Sequence, residues 1–100
     1  MKLVIAAASA LLFLSQPAFA YTQCDLSVQS VFSGDDGYIW LIFTNGGSAY
    51  LAPADPDKQA TMALGTTALV SSRHVTVRYA ADGVVCTSSS RSDMIGIYLN

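Results

Sequence analysis

At 100 residues, a formal net charge of −2 and only 12% charged side chains, the chain is too short for two ordinary domains and lacks a basic excess. Its basic residues beyond Lys2 (Lys58, Arg73, Arg78 and Arg91) are scattered rather than clustered, so nucleic acid is not an expected partner. With no glutamate and a single histidine, His74, the chain is also poor in metal ligands, and neither a metal nor a cofactor is expected.

In chain order, Lys2 precedes an uncharged apolar run from Leu3 to Leu14, and Ala18-Phe19-Ala20 has small residues at the two positions a signal peptidase reads. A secretory signal over 1–20, cleaved after Ala20, is the expectation, with a secreted or periplasmic destination. The run is about a dozen residues, shorter than the roughly 20 of a spanning helix, and no second run of that length follows, so the mature chain should carry no membrane span. Loss of the leader removes Lys2 and leaves four basic against seven acidic residues, a charge of −3 with His74 neutral. A remaining domain of about 80 residues, 21–100, buries little more than half of its unfolded surface and needs a staple or a partner. Cys24 and Cys86 are the two cysteines, and in an exported chain they are expected to bond. On the loop-entropy model such a bond stabilises by about 4 kcal/mol.

Alternating Leu26, Val28 and Phe32 predict a first strand from Leu26 to Ser33, closed by the turn residues Ser33-Gly34-Asp35-Asp36-Gly37. A second strand is expected from Tyr38 to Thr44, the hairpin turn Asn45-Gly46-Gly47 follows, and Ser48 to Leu51 forms a short third strand. Beyond Pro53 the period changes. Asp55 as cap, Pro56 at the first position and Asp57 beside the positive helix end predict a helix from Pro56 to about Ser71. Its small-residue face is expected at Ala60, Ala63, Leu64, Thr67 and Ala68, with Gly65 weakening the helix by up to about 1 kcal/mol. Val75, Val77 and Tyr79 alternate in a fourth strand from His74 to Ala80. Asp82-Gly83 turns, Val84 to Thr87 reads as a short extended piece, Ser88 to Asp93 as a polar loop, and Met94 to Leu99 as the last strand.

Five short strands with a helix between the third and fourth match the order of a five-stranded oligonucleotide/oligosaccharide-binding (OB) barrel, a mainly β fold with one helix in the order β-β-β-α-β-β. An open α+β sheet with the helix on one face is the competing architecture. The second and last strands are apolar on both faces: Ile39, Leu41 and Phe43 alternate with Tyr38, Trp40 and Ile42, and Ile95, Ile97 and Leu99 with Met94 and Tyr98. One face of each faces the core, so the helix, a ligand or another subunit must cover the other.

No catalytic set emerges. Ser71 and Ser72 lie too close to His74 in sequence to form a nucleophile and base pair, and Asp35 and Asp36 are adjacent and diverge, unlike the facing carboxylates of a glycosidase. The Asp-Asp-Gly string also lacks the spaced ligands of a calcium loop.

The short exported chain, the strand and helix order, and the stretch Ala60-Thr61-Met62-Ala63-Leu64 through Ser71-Ser72-Arg73 into His74-Val75-Thr76-Val77-Arg78-Tyr79, followed by the Cys86 region and Ile95-Gly96-Ile97-Tyr98-Leu99, resemble the binding subunits of bacterial A-B toxins with pentameric B rings, of the subtilase-cytotoxin and pertussis-like type. The resemblance implies an OB-like barrel that assembles into a homo-oligomeric ring, binds cell-surface glycans and serves a toxin-like A subunit; a freestanding homologue would look the same. For a sugar ligand, rings that stack on a pyranose and carboxylates that accept its hydroxyls make Asp35, Asp36, Tyr38 and Tyr50 the candidate ligand-binding residues. The alternative is a monomeric periplasmic inhibitor or accessory protein that meets another protein through the Ser88 to Asp93 loop.

Overall fold

The computed structural model describes residues 20–100, and the expected secretory signal lies outside the described residues. Five strands and one helix follow the anticipated order: β1 (Thr22–Gly34), β2 (Tyr38–Phe43), β3 (Ser48–Leu51), α1 (Lys58–Ser71), β4 (His74–Tyr79) and β5 (Met94–Leu99). They form one antiparallel sheet in the order β3-β2-β1-β4-β5.

β1 begins earlier than Leu26 because the alternation of buried side chains starts at Cys24 and continues through Leu26 and Val28. Its first half pairs with β4, from Thr22↔Tyr79 to Ser27↔His74, and its second half with β2, from Val28↔Phe43 to Gly34↔Tyr38. The register slips between Val28 and Ser30, a bulge of the kind that bends a strand and increases its twist. One strand thus pairs with two neighbours, β4 along its first half and β2 along its second.

The sheet edges β3 and β5 do not share a continuous ladder. A single parallel bridge, Ala49↔Arg91, joins β3 to the segment just ahead of β5. Around it Ser48 N donates to Ser88 O, Arg91 N to Ser48 O, and Tyr50 N to Arg91 O, at 2.9–3.1 Å. The expected sheet and helix order is present, while strand pairing leaves the sheet short of a closed barrel. The piece from Val84 to Thr87, anticipated as extended, is instead irregular and turning. It is held by its contacts: Cys86 bonds to Cys24 with a Cα separation of 5.6 Å, and Asn45 Nδ2 donates to Cys86 O.

α1 packs on the sheet face that carries Ile39, Leu41, Phe43, Val75 and Val77. The buried helix residues are Thr61, Gly65 and Ala68, so the anticipated face is displaced by one position and Ala60, Ala63 and Thr67 are exposed. The physical reason is Gly65. A Cβ there would stand 2.6 Å from Leu41 Cδ2, so the missing side chain lets the helix backbone settle onto the middle of β2. The helix also starts two residues later than expected: Asp57 occupies the cap position without a side-chain cap, and Asp55 Oδ1 instead accepts from Asp57 N at 2.8 Å.

Among the described residues no helix is long and apolar enough to cross a membrane.

Candidate functional site

The outer face of the sheet, away from α1, gathers Phe32, Tyr38, Trp40 and Tyr50 at one end. Antiparallel pairing aligns side chains of opposite residues on the same face. Phe32↔Trp40 and Trp40↔Tyr50 therefore place three rings in a row across β1, β2 and β3. Tyr38, two residues before Trp40, joins them. Trp40 and Tyr50 overlap with centroids 4.6 Å apart and planes inclined by 30°, while Tyr38 meets Tyr50 at 5.9 Å and 56°. Both are favourable aromatic geometries that still leave ring surface uncovered. The ring of Phe32 lies over Gly34, where a Cβ would come within 2.6 Å of its Cζ.

Above these rings runs an open groove of about 380 Å³ lined by Asp35, Tyr38, Trp40, Tyr50 and Ser90. Three of the four residues anticipated as ligand-binding, Asp35, Tyr38 and Tyr50, meet there. The fourth, Asp36, stands on the same turn but not among the lining residues. Neither Asp35 nor Asp36 engages its carboxylate in a hydrogen bond or ion pair with another described residue.

Trp40 and Ser90 complete the groove. Trp40 was legible as an outward residue of the second strand, and counting outwards from the Asn45 turn pairs it with Tyr50. Ser90 carries no such signal. It reaches the groove because Ser90 N donates to the buried Ser48 Oγ at 2.7 Å, beside the bridge at Arg91.

The backbone around the groove is unusual. Asp35 (φ 55°), Asp36 (φ 64°) and Ser90 (φ 55°) are three of the four described non-glycine residues with positive φ. Left-handed backbone costs an ordinary residue roughly 1–2 kcal/mol, less for aspartate, and such conformations concentrate at functional sites.

Behind the groove, Arg91 and Asp93 form a bidentate pair at 2.9 and 2.7 Å. Hydrogen bonding from Arg91 holds the Asp93 carboxyl below its ordinary value, against the opposing effect of desolvation, and Ala81 N adds a further bond at 3.0 Å. Arg91 lies 5.5 Å from the ring of Tyr79. Burial pushes the Tyr79 phenol up to about 12, and its hydroxyl is buried without a hydrogen-bond partner among the described residues.

Other surfaces offer less chemistry. A larger groove of about 640 Å³ runs between α1 and the end of β1, but it has no aromatic ring, and its one cation, Lys58, donates to Gly37 O. On the far half of the outer face Arg78 is satisfied by Gln23 and Tyr98 and stacks on Tyr21 at 4.5 Å. His74 Nδ1 lies 3.4 Å from Asp25 Oδ1 on the open surface, and the Ser71 hydroxyl donates to Thr67 O. Among the described residues no three His, Cys, Asp or Glu side chains converge as a metal site requires.

No family model matches the chain, and no curated protein matches it.

Proposed function

We propose that the mature chain is an exported, noncatalytic carbohydrate-binding module whose ligand lies along the groove of Tyr38, Trp40 and Tyr50. One observation carries this reading: rings that can stack on a sugar face converge with an unpaired carboxylate, Asp35, and a serine, Ser90, in one open groove. The carboxylate accepts sugar hydroxyls, and the rings supply apolar contact without needing full enclosure. On this reading the sheet is an OB-like barrel drawn together by the Ala49↔Arg91 bridge and the Cys24–Cys86 bond.

The resemblance to toxin B subunits extends the proposal to self-association, in a ring and with a toxin-like A subunit as a further partner. Two features support assembly. Among the described residues the outer edge of β5 has no strand beside it, and Ile95 and Tyr98 on that strand are 53% and 50% exposed. The same exposed residues, with Val70 at 77%, also favour the second reading, a monomer that binds another protein as an inhibitor or accessory factor.

Trp40 is the chain's single tryptophan, so its emission reports directly on the groove. Titration of the mature protein with a panel of oligosaccharides should produce a saturable change in that emission, and Trp40→Ala, which removes the probe and is read on an immobilised array instead, should weaken binding by roughly tenfold or more while the protein stays folded. A panel without any binder would remove the carbohydrate reading. Solution mass tests assembly separately: a strict monomer at high micromolar concentration would remove the ring and favour the second reading.

A further inference from the structure

We infer that the groove selects saccharides whose terminal residue carries no negative charge. This deepens the carbohydrate reading and rests on it.

The one charged residue lining the groove, Asp35, is acidic. Asp35 lines it and Asp36 is its neighbour on the β1–β2 turn, both with carboxylates unengaged by other described residues. A carboxylate is an acceptor only, so it suits ligand groups that donate, such as sugar hydroxyls. It repels a carboxylate or sulfate brought to the same place.

No described cation reaches the lining to reverse that balance. Arg91 follows Ser90 in sequence, yet its guanidinium is held by Asp93 in a bidentate pair and turned to the ring of Tyr79. Lys58 approaches the same turn from the helix side, where it shares a groove with Ile39 and Met62 and donates to Gly37 O. Arg78 is occupied on the other half of the sheet by Gln23 and Tyr98. Arg73 is bound to the carbonyl of Asn100. Charge-assisted recognition of an anionic sugar by side chains calls for an arginine fork or a lysine. The lining of Asp35, Tyr38, Trp40, Tyr50 and Ser90 contains no cationic side chain. The mature charge of −3, with four basic residues against seven acidic ones, adds a repulsive long-range field.

The test uses matched glycans that share one core and differ by a terminal sialic acid or sulfate, read by Trp40 emission and on an immobilised array. The neutral member of each pair should bind at least roughly tenfold more tightly than its anionic counterpart, a difference that two nearby carboxylates at high effective dielectric can supply. Raising the salt concentration should narrow the gap, as should Asp35→Asn with Asp36→Asn. If that double variant does not fold, the salt series on the unaltered protein reads the same repulsion. Equal or tighter binding of the anionic members would overturn the inference and leave the carbohydrate reading standing. A neutral preference that survives both high salt and the folded double variant would also overturn it, because the selection would then be steric. Binding of neither member of any pair would remove both.

Discussion

The two faces of β2 are both apolar, yet they do different work. On the helix side Ile39, Leu41 and Phe43 are 2%, 0% and 0% exposed beneath α1. On the other side Tyr38, Trp40 and Ile42 are half-buried, sheltered by cross-strand neighbours rather than by a second layer. The difference lies in side-chain chemistry. Aliphatic groups gain most from complete removal from water, whereas rings with polar tips gain from edge and offset contacts and tolerate a wet side. An apolar outer face therefore does not require a covering layer when its members are aromatic and paired across strands. It leaves a platform instead.

The largest expected effect comes from the buried face. Leu41→Ala should destabilise by about 2–5 kcal/mol, since Leu41 is fully enclosed under Gly65 and the helix backbone is poorly placed to collapse into the space. Urea denaturation measures this directly. Trp40→Ala should cost about 1 kcal/mol of stability in the same assay, because its ring is already half solvated. Equal losses at the two positions would break the distinction between a core face and the proposed binding face.

Gly65→Ala sharpens it next. Helix propensity alone predicts a gain of up to about 1 kcal/mol. The new methyl must displace Leu41 Cδ2 from 2.6 Å in a packed core, an overpacking cost of roughly 1–3 kcal/mol. A net loss of about 1 kcal/mol in the denaturation midpoint is expected. A gain would show that the helix rides loosely on β2.

Gly65 also marks where sequence and structure part. A small-residue helix face was legible in the sequence, but residues three and four apart satisfy several neighbouring faces, and only the position of Leu41 selects Thr61, Gly65 and Ala68. Strands were more legible. Val75, Val77 and Tyr79 alternate without ambiguity, and Asn45-Gly46-Gly47 turns as its composition predicts, with positive φ at Gly46 and Asn45 Oδ1 accepting from Gly47 N. Tyr38 and Tyr50 could be proposed for the groove because aromatics beside turns are visible in a sequence. Ser90 could not. Its place depends on a bond to Ser48, 42 residues away, in a loop whose serines have no period to read. The same loop carries Cys86, whose pairing with Cys24 was legible from composition even though the path of the chain between Val84 and Thr87 was not.

A smaller effect should appear at the rim of the groove and with the opposite sign. Asp35→Gly keeps the turn at φ 55° and relieves a conformation that L residues seldom adopt, so stability should rise by up to about 1 kcal/mol. The same substitution removes the carboxylate, and binding of a neutral saccharide followed through Trp40 should weaken. If stability and binding instead moved together, Asp35 would serve the turn alone.

The smallest expected effect concerns the clamp behind the groove and is visible only as a dependence on pH. Asp93 is held below its ordinary value by hydrogen bonds from Arg91, with Ala81 N assisting. A carboxyl whose folded-state value is depressed adds stability above its unfolded value of about 3.9, and that contribution disappears as pH falls through the folded value. Arg91 is itself shifted upward, far above the range where folding is measured, and stays charged throughout. Asp93→Asn should therefore lower the denaturation midpoint by a nearly constant amount between about pH 6 and 8, and the two proteins should begin to converge only as pH falls below about 4 toward the depressed folded value. The pair is partly exposed, at 27% and 24% of its side-chain surface, so the effect should be modest and reduced by salt. Its functional weight is greater than its stability, because Arg91 N and O make the bridge to β3 that sets Ser90 against Tyr50. In the variant, saccharide binding should weaken at pH 7 even in conditions where the protein is fully folded. Unchanged binding there would mean that the backbone bridge and the Cys24–Cys86 bond hold the groove without the ion pair.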